Sequence, residues 1–205
     1  MTMNKPIMLL AAILLTAGAA TSQVLINPQI GITYQNLTDP AEFYDYKAAT
    51  GFQAGADLRF GDRFFFQPGA FFGRNVTVVS VDNGETAVVE DGLVRTNLKF
   101  RAQAGYKIID NYQFDLRVML GPSYDVLLSV DNKDDKIDWN KGDFNGGSWG
   151  MDAGIGFDMG YFTVSPTVSF GLSRVFDDDV IELKDIDSKY LTYGLTLGWN
   201  FGNDD

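Results

Sequence analysis

Neither cysteine nor histidine occurs anywhere in the 205 residues. Without a thiol there is no disulfide and no cysteine nucleophile. Without an imidazole, histidine-based triads and the usual zinc ligand sets cannot be assembled. Basic residues are scarce: 16 Lys and Arg stand against 27 Asp and Glu, a balance that argues against nucleic acid as a partner. Long apolar runs are missing except at the start. There Lys5 precedes the uncharged, mostly apolar stretch from Ile7 to Ala20, and the small residues Thr21 and Ser22 follow it. That stretch is about 14 residues, short of the roughly 20 that a spanning helix needs and suited to a secretory signal peptide. We therefore expect residues 1–22 to be a signal peptide cleaved after Ser22, and residues 23–205 to form one domain. No cysteine follows the run, so lipid attachment at the new N-terminus is excluded.

After Gln23 no apolar pattern holds at helical spacing, and what recurs is period two. From Val24 to Gln35 the even positions are Val24, Ile26, Pro28, Ile30, Ile32 and Tyr34, and the odd ones are small or polar apart from Leu25. The same division appears in Phe52–Phe60, Leu98–Tyr106, Phe114–Leu120, Trp149–Asp158, Phe162–Ser173 and Tyr190–Phe201. Phe64–Asn75 makes an eighth strand, although Phe65 and Phe71 blur its alternation. The connections alternate in length, short at Gly61–Arg63, Ile109–Asn111 and Asp158–Gly160, long at Leu37–Ala49, Ser80–Gly92, Ser129–Gly147 and Phe176–Lys189. Three tight turns and four long loops suit an all-β fold, an eight-stranded antiparallel up-and-down transmembrane β-barrel with both termini on the periplasmic side.

A soluble barrel would turn its bulky face inward. Here the bulky face carries Phe, Tyr, Trp, Leu and Ile, whereas the other holds Gly, Ser, Thr and charges, as a narrow polar lumen requires. Aromatic residues gather at both strand ends, with Phe60, Phe64, Tyr106, Phe157 and Trp199 on the turn side and Tyr34, Phe72, Tyr124 and Trp149 on the loop side. Such placement matches interfacial girdles. The four long loops carry 18 of the acids and 6 of the bases, so the acidity lies outside the membrane portion. Pro28, Pro68, Pro122 and Pro166 all take the lipid-facing parity of alternate strands and are expected to mark bulges.

Four segments resemble the outer-membrane β-barrel domain family of porin-like or PorT-like proteins and, more distantly, the OmpA/OmpX barrels. They are Gln67-Pro68-Gly69, Gly121-Pro122-Ser123-Tyr124, Asp152-Ala153-Gly154-Ile155-Gly156 and Phe170-Gly171-Leu172. The resemblance implies residence in the outer membrane of a Gram-negative bacterium, insertion by the barrel-assembly machinery and contact with outer-membrane lipids. Many such barrels end on an aromatic that this machinery reads. Here Phe201 is followed by four further residues, so the signal is expected to be slightly internal.

No catalytic, cofactor or metal site is expected. The segment Asp131–Asp138 has the look of a calcium loop but lacks the glycine and terminal glutamate of an EF-hand, and its lysines oppose a cation. Asp177-Asp178-Asp179 reads as solvated loop. Parity places Asp57, Arg59, Lys99, Arg101, Asp115, Arg117, Asp152 and Asp158 inside the barrel, four acids facing four bases, where salt bridges are favoured over acid–base chemistry. Arg74 and Arg174 fall on the lipid side near the loop ends and are candidates for lipid phosphate contacts. The function expected is non-enzymatic: a monomeric membrane anchor whose loops bind a surface ligand or an envelope protein. The alternative is a small porin-like channel or transporter for ions or hydrophobic solutes.

Overall fold

The computed structural model describes residues 24–38, 44–82, 88–111, 113–133, 141–176 and 188–202. The expected signal peptide, most of the Asp131–Asp138 segment and Asp177–Asp179 lie outside them. Eight strands follow one another: β1 (Val24–Leu37), β2 (Tyr44–Gly61), β3 (Phe64–Asp82), β4 (Val88–Asn111), β5 (Phe114–Asn132), β6 (Gly147–Met159), β7 (Phe162–Gly171) and β8 (Tyr190–Trp199). Every neighbouring pair is antiparallel, and β1 pairs with β8 from Gln29↔Gly198 to Leu37↔Tyr190, which closes the barrel. Closure matters because an unpaired edge inside a bilayer would expose backbone groups that lipid cannot hydrogen-bond. The turns at Gly61 and Gly160 use left-handed φ values of 106° and 59°, which glycine adopts without a Cβ penalty.

Side-chain parity sorts the residues as the alternation predicts. Ile30 is 67% and Leu197 57% exposed, while Asp57 and Arg117 have no exposed surface. Apolar side chains outside and charged ones inside is the reverse of a water-soluble core, and it suits a barrel whose solvent is lipid. The girdle aromatics are paired, with Phe64–Tyr106 ring centroids 4.6 Å apart, Phe162–Trp199 4.4 Å at the turn end and Tyr124–Trp149 4.8 Å at the loop end.

Three expectations change. The segments read from the alternation, such as Phe52–Phe60 and Leu98–Tyr106, are only the centres of longer strands, because β2 to β5 run to 18, 19, 24 and 19 residues. Pairing continues into the intended loops, with Tyr44–Ala48 against Thr77–Val81 and Val76–Asp82 against Val88–Val94, because valine-rich, β-branched sequence keeps the extended backbone favourable beyond the lipid. The blurred alternation of β3 resolves as well: Phe65 and Phe71 are only 5% and 1% exposed and point inward, while Phe64, Phe66 and Phe72 face out.

The prolines, finally, do not form bulges. The register shifts lie elsewhere, at Ala48/Phe52, Thr96/Asn97 and Lys107/Ile109. Each proline instead keeps its register with the following strand and leaves a two-residue gap in the ladder on its other side. The gaps face Leu58 and Arg59 for Pro68, Ala102 and Gln103 for Pro122, and Ile155 and Gly156 for Pro166. At Pro28 the pairing with β8 stops at Gln29 and resumes only at the Ile26↔Phe201 bridge. A missing N–H removes a ladder bond without inserting a residue, so the strand loses pairing but not register.

Candidate functional site: the barrel lumen and its loop-end cap

The inward column of each strand supplies one or two polar groups at the same height, and in the turn-side half they join into a ring. Asp57 accepts from Arg101 through both oxygens, with Arg101 Nε 2.9 Å from Oδ1, and also from Gln29 Nε2 at 2.5 Å and Gln67 Nε2 at 2.8 Å. Gln67 Oε1 in turn accepts from Arg59 Nε at 3.3 Å and Arg117 Nη1 at 3.2 Å. Both arginines converge on Asp158 Oδ2, each at 2.9 Å. Asp158 also accepts from the Thr163 hydroxyl, which accepts from Asn200 Nδ2 at 3.2 Å. Asn27 Nδ2 donates to Asn200 Oδ1 at 2.6 Å, and Gln29 donates to Asn27. The circuit therefore returns to Asp57 after drawing on β1 to β7 and on Asn200, which follows β8.

Two details let so many groups fit. Phe65 and Phe71 lie under the guanidinium groups, with Arg101 4.1 Å from the Phe71 ring centroid and Arg59 5.3 Å from that of Phe65, so each cation gains a π-face along with its carboxylate. The directly paired residue on the adjacent strand is glycine where they need room, Gly105 beside Phe65 and Gly156 beside Arg117. A Cβ on Gly105 would overlap the Phe65 ring, and one on Gly156 would overlap the Arg117 guanidinium.

Of the eight charges expected in the lumen, Asp57, Arg59, Arg101, Arg117 and Asp158 meet in this ring. Lys99 and Asp152 form a separate pair nearer the loops, 3.2 Å apart, with Ser169 and Ser123 as further partners. Asp115 joins neither; it pairs with Lys107 at 3.2 Å near the turn end. Lys107, Arg95 and Asp125 are inward charges that the sequence reading passed over, although the odd parity of β4 and β5 continues straight to them. The neutral members Asn27, Gln29, Gln67, Thr163 and Asn200 carry no chemical signature in sequence. Arg74 and Arg174 are both exposed. Arg74 faces outward within β3, whereas Arg174 lies beyond the end of β7, where its carbonyl accepts from Asn145 Nδ2 at 3.1 Å.

Toward the loops the inward column turns apolar, with Leu37, Leu93 and Leu127 all buried. At the same end Phe144 and Phe176 form a β-bridge, their rings 5.4 Å apart, and both are buried together with Val175. Backbone bonds from Asn145 N to Val175 O at 3.0 Å and Val175 N to Ser188 O at 3.0 Å hold the cap segments together, and one from Leu127 N to Gly146 O at 2.9 Å ties them to β5. Between ring and cap lies a polar cavity of about 40 Å³, room for a few waters.

Residues 17–177 match the family described as outer membrane protein beta-barrel domain. Among solved structures the chain is similar to the outer membrane protein OprG from Pseudomonas aeruginosa, with a TM-score of 0.55 and 13% identity over 89% of this chain and 97% of that one. It also resembles Neisserial surface protein A, with a TM-score of 0.49 and 9% identity over 86% of this chain and 97% of that one. Ail, the attachment invasion locus protein of Yersinia pestis, gives a TM-score of 0.44 and 14% identity over 86% and 98%. No curated protein matches the sequence. At such identities the OprG likeness speaks for the fold alone.

Proposed function

Because the chain belongs to the outer membrane protein beta-barrel domain family and is an eight-stranded barrel of the Gram-negative outer membrane, we propose that it is a non-conducting anchor that presents its long loops at the cell surface. The observation that carries this reading is the hydrogen-bonded ring, which reaches across the lumen from every side. An eight-stranded barrel has an interior just wide enough for side chains to fill, and here the ring fills its turn-side half with paired charges. The apolar cap at Phe144 and Phe176 supports the same reading from the other end. What remains for contact is the extended β2–β5 region and the loops, which suit binding of a surface ligand or a neighbouring envelope protein. No His or Cys is present to support the commoner hydrolytic chemistries, and the lumenal carboxylates at the ring are consumed by cations and amides.

Single-channel recording of the purified protein in planar bilayers tests this directly. A closed trace across the voltage range is expected. Steady conductance from the wild-type protein would overturn the anchor reading in favour of a small channel.

A further inference from the structure

The loop half of the lumen holds a cation with unsatisfied donors. Arg95 is 5% exposed, and neither its Nε nor its Nη1 makes a hydrogen bond. Its guanidinium lies 3.6 Å from the centroid of the Tyr190 ring, so stacking holds the face of the group and leaves the donor edge unspent. Arg95 lines the 40 Å³ cavity together with Asn75, Asn97, Ser148 and Thr192. Asp125 is in the same wall, but its Oδ1 accepts from Asn97 and its Oδ2 faces Lys99 Nζ at 3.8 Å. The Lys99 ammonium is shared again with Asp152.

A buried guanidinium with unpaired donors is costly. Water can relieve part of that cost, and an anion relieves more because it supplies charge as well as acceptors. We propose that this chamber is a binding site for a small carboxylate anion, with Arg95 as the charge that holds it and the Ser148 and Thr192 hydroxyls as neighbouring donors. The size selects the class: room for about three waters, at roughly 10–15 Å³ each, is replaced by one formate or acetate. The planar guanidinium favours a planar carboxylate over a bulkier tetrahedral anion. A second void of about 10 Å³ shares Arg95, Asn97, Asp125, Ser148 and Tyr190 and reaches Leu127 and Asn145 in the cap, so the ligand enters from the loops, on the far side of the ring from the periplasm. The site does not depend on whether the barrel conducts.

The test uses the full folded protein in detergent with 13C-formate as probe. The formate resonance is expected to broaden with wild-type protein and to sharpen again on adding excess acetate but not chloride at the same ionic strength. The unfolding midpoint should rise saturably with formate, and Arg95→Gln should abolish both effects while Arg74→Gln keeps them. No broadening with wild type, broadening that acetate does not reverse, or an unchanged response in folded Arg95→Gln would each overturn the proposal. If Arg95→Gln does not fold, the wild-type competition decides alone.

Discussion

Arg117 has no exposed surface, and it is held there by Asp158 on β6, Gln67 on β3 and the room that Gly156 leaves. Removing one member of a buried charge set leaves its partners uncompensated, a loss of about 3–5 kcal/mol. Arg117→Ala and Arg101→Ala are therefore expected to lower stability by that amount in equilibrium unfolding from detergent or bilayers. Lys133→Ala, on an exposed side chain beyond β5, should change nothing measurable. Glycine matters at this scale too. Gly105→Ala forces the Phe65 ring aside, and overpacking of this kind costs about 1–3 kcal/mol. Pairing it with Phe65→Leu should recover most of the loss, and a double variant no better than the single one would show that the ring is not the obstacle.

A strand in this barrel is defined by its register, and the prolines show how little that register depends on an unbroken ladder. Each lies on the outward parity and interrupts pairing on one side only. Pro122→Ala restores an N–H opposite β4. The hydrogen bond gained is worth about 0.5–1.5 kcal/mol, and the added freedom of the unfolded chain costs about 0.4–1 kcal/mol. Stability should therefore move by less than about 1 kcal/mol, while the backbone amide that the substitution introduces becomes protected from hydrogen exchange. An unprotected amide there would mean that strand separation, and not the missing donor, causes the gap.

For the whole molecule the surrounding solvent is part of the fold. The apolar belt faces lipid tails, and beyond it lies the headgroup layer. We propose that Arg74 and Arg174 meet lipid phosphates there. Replacing both with Gln is expected to lower the melting temperature in membranes containing lipopolysaccharide by several degrees more than in plain detergent. Equal loss in the two media would show that the arginines act within the protein alone.

Period two in the sequence determined the architecture, because the direction of a side chain from a strand is a local property that needs no knowledge of the rest of the chain. The alternation of short and long connections then left one arrangement of eight strands, and the bulk of one face decided which side meets lipid. The same logic places Asp57, Arg59, Arg101, Arg117 and Asp158 indoors, but it cannot say who meets whom. Asp57 lies two residues from Arg59 and yet pairs with Arg101, while Arg59 crosses the lumen to Asp158. Those partners are set by strand tilt and stagger around the closed barrel, which bring together heights on strands far apart in sequence. The apolar cap and the unpaired donors of Arg95 belong to the same category. Each depends on what stands opposite across the lumen, and only closure of the barrel decides that.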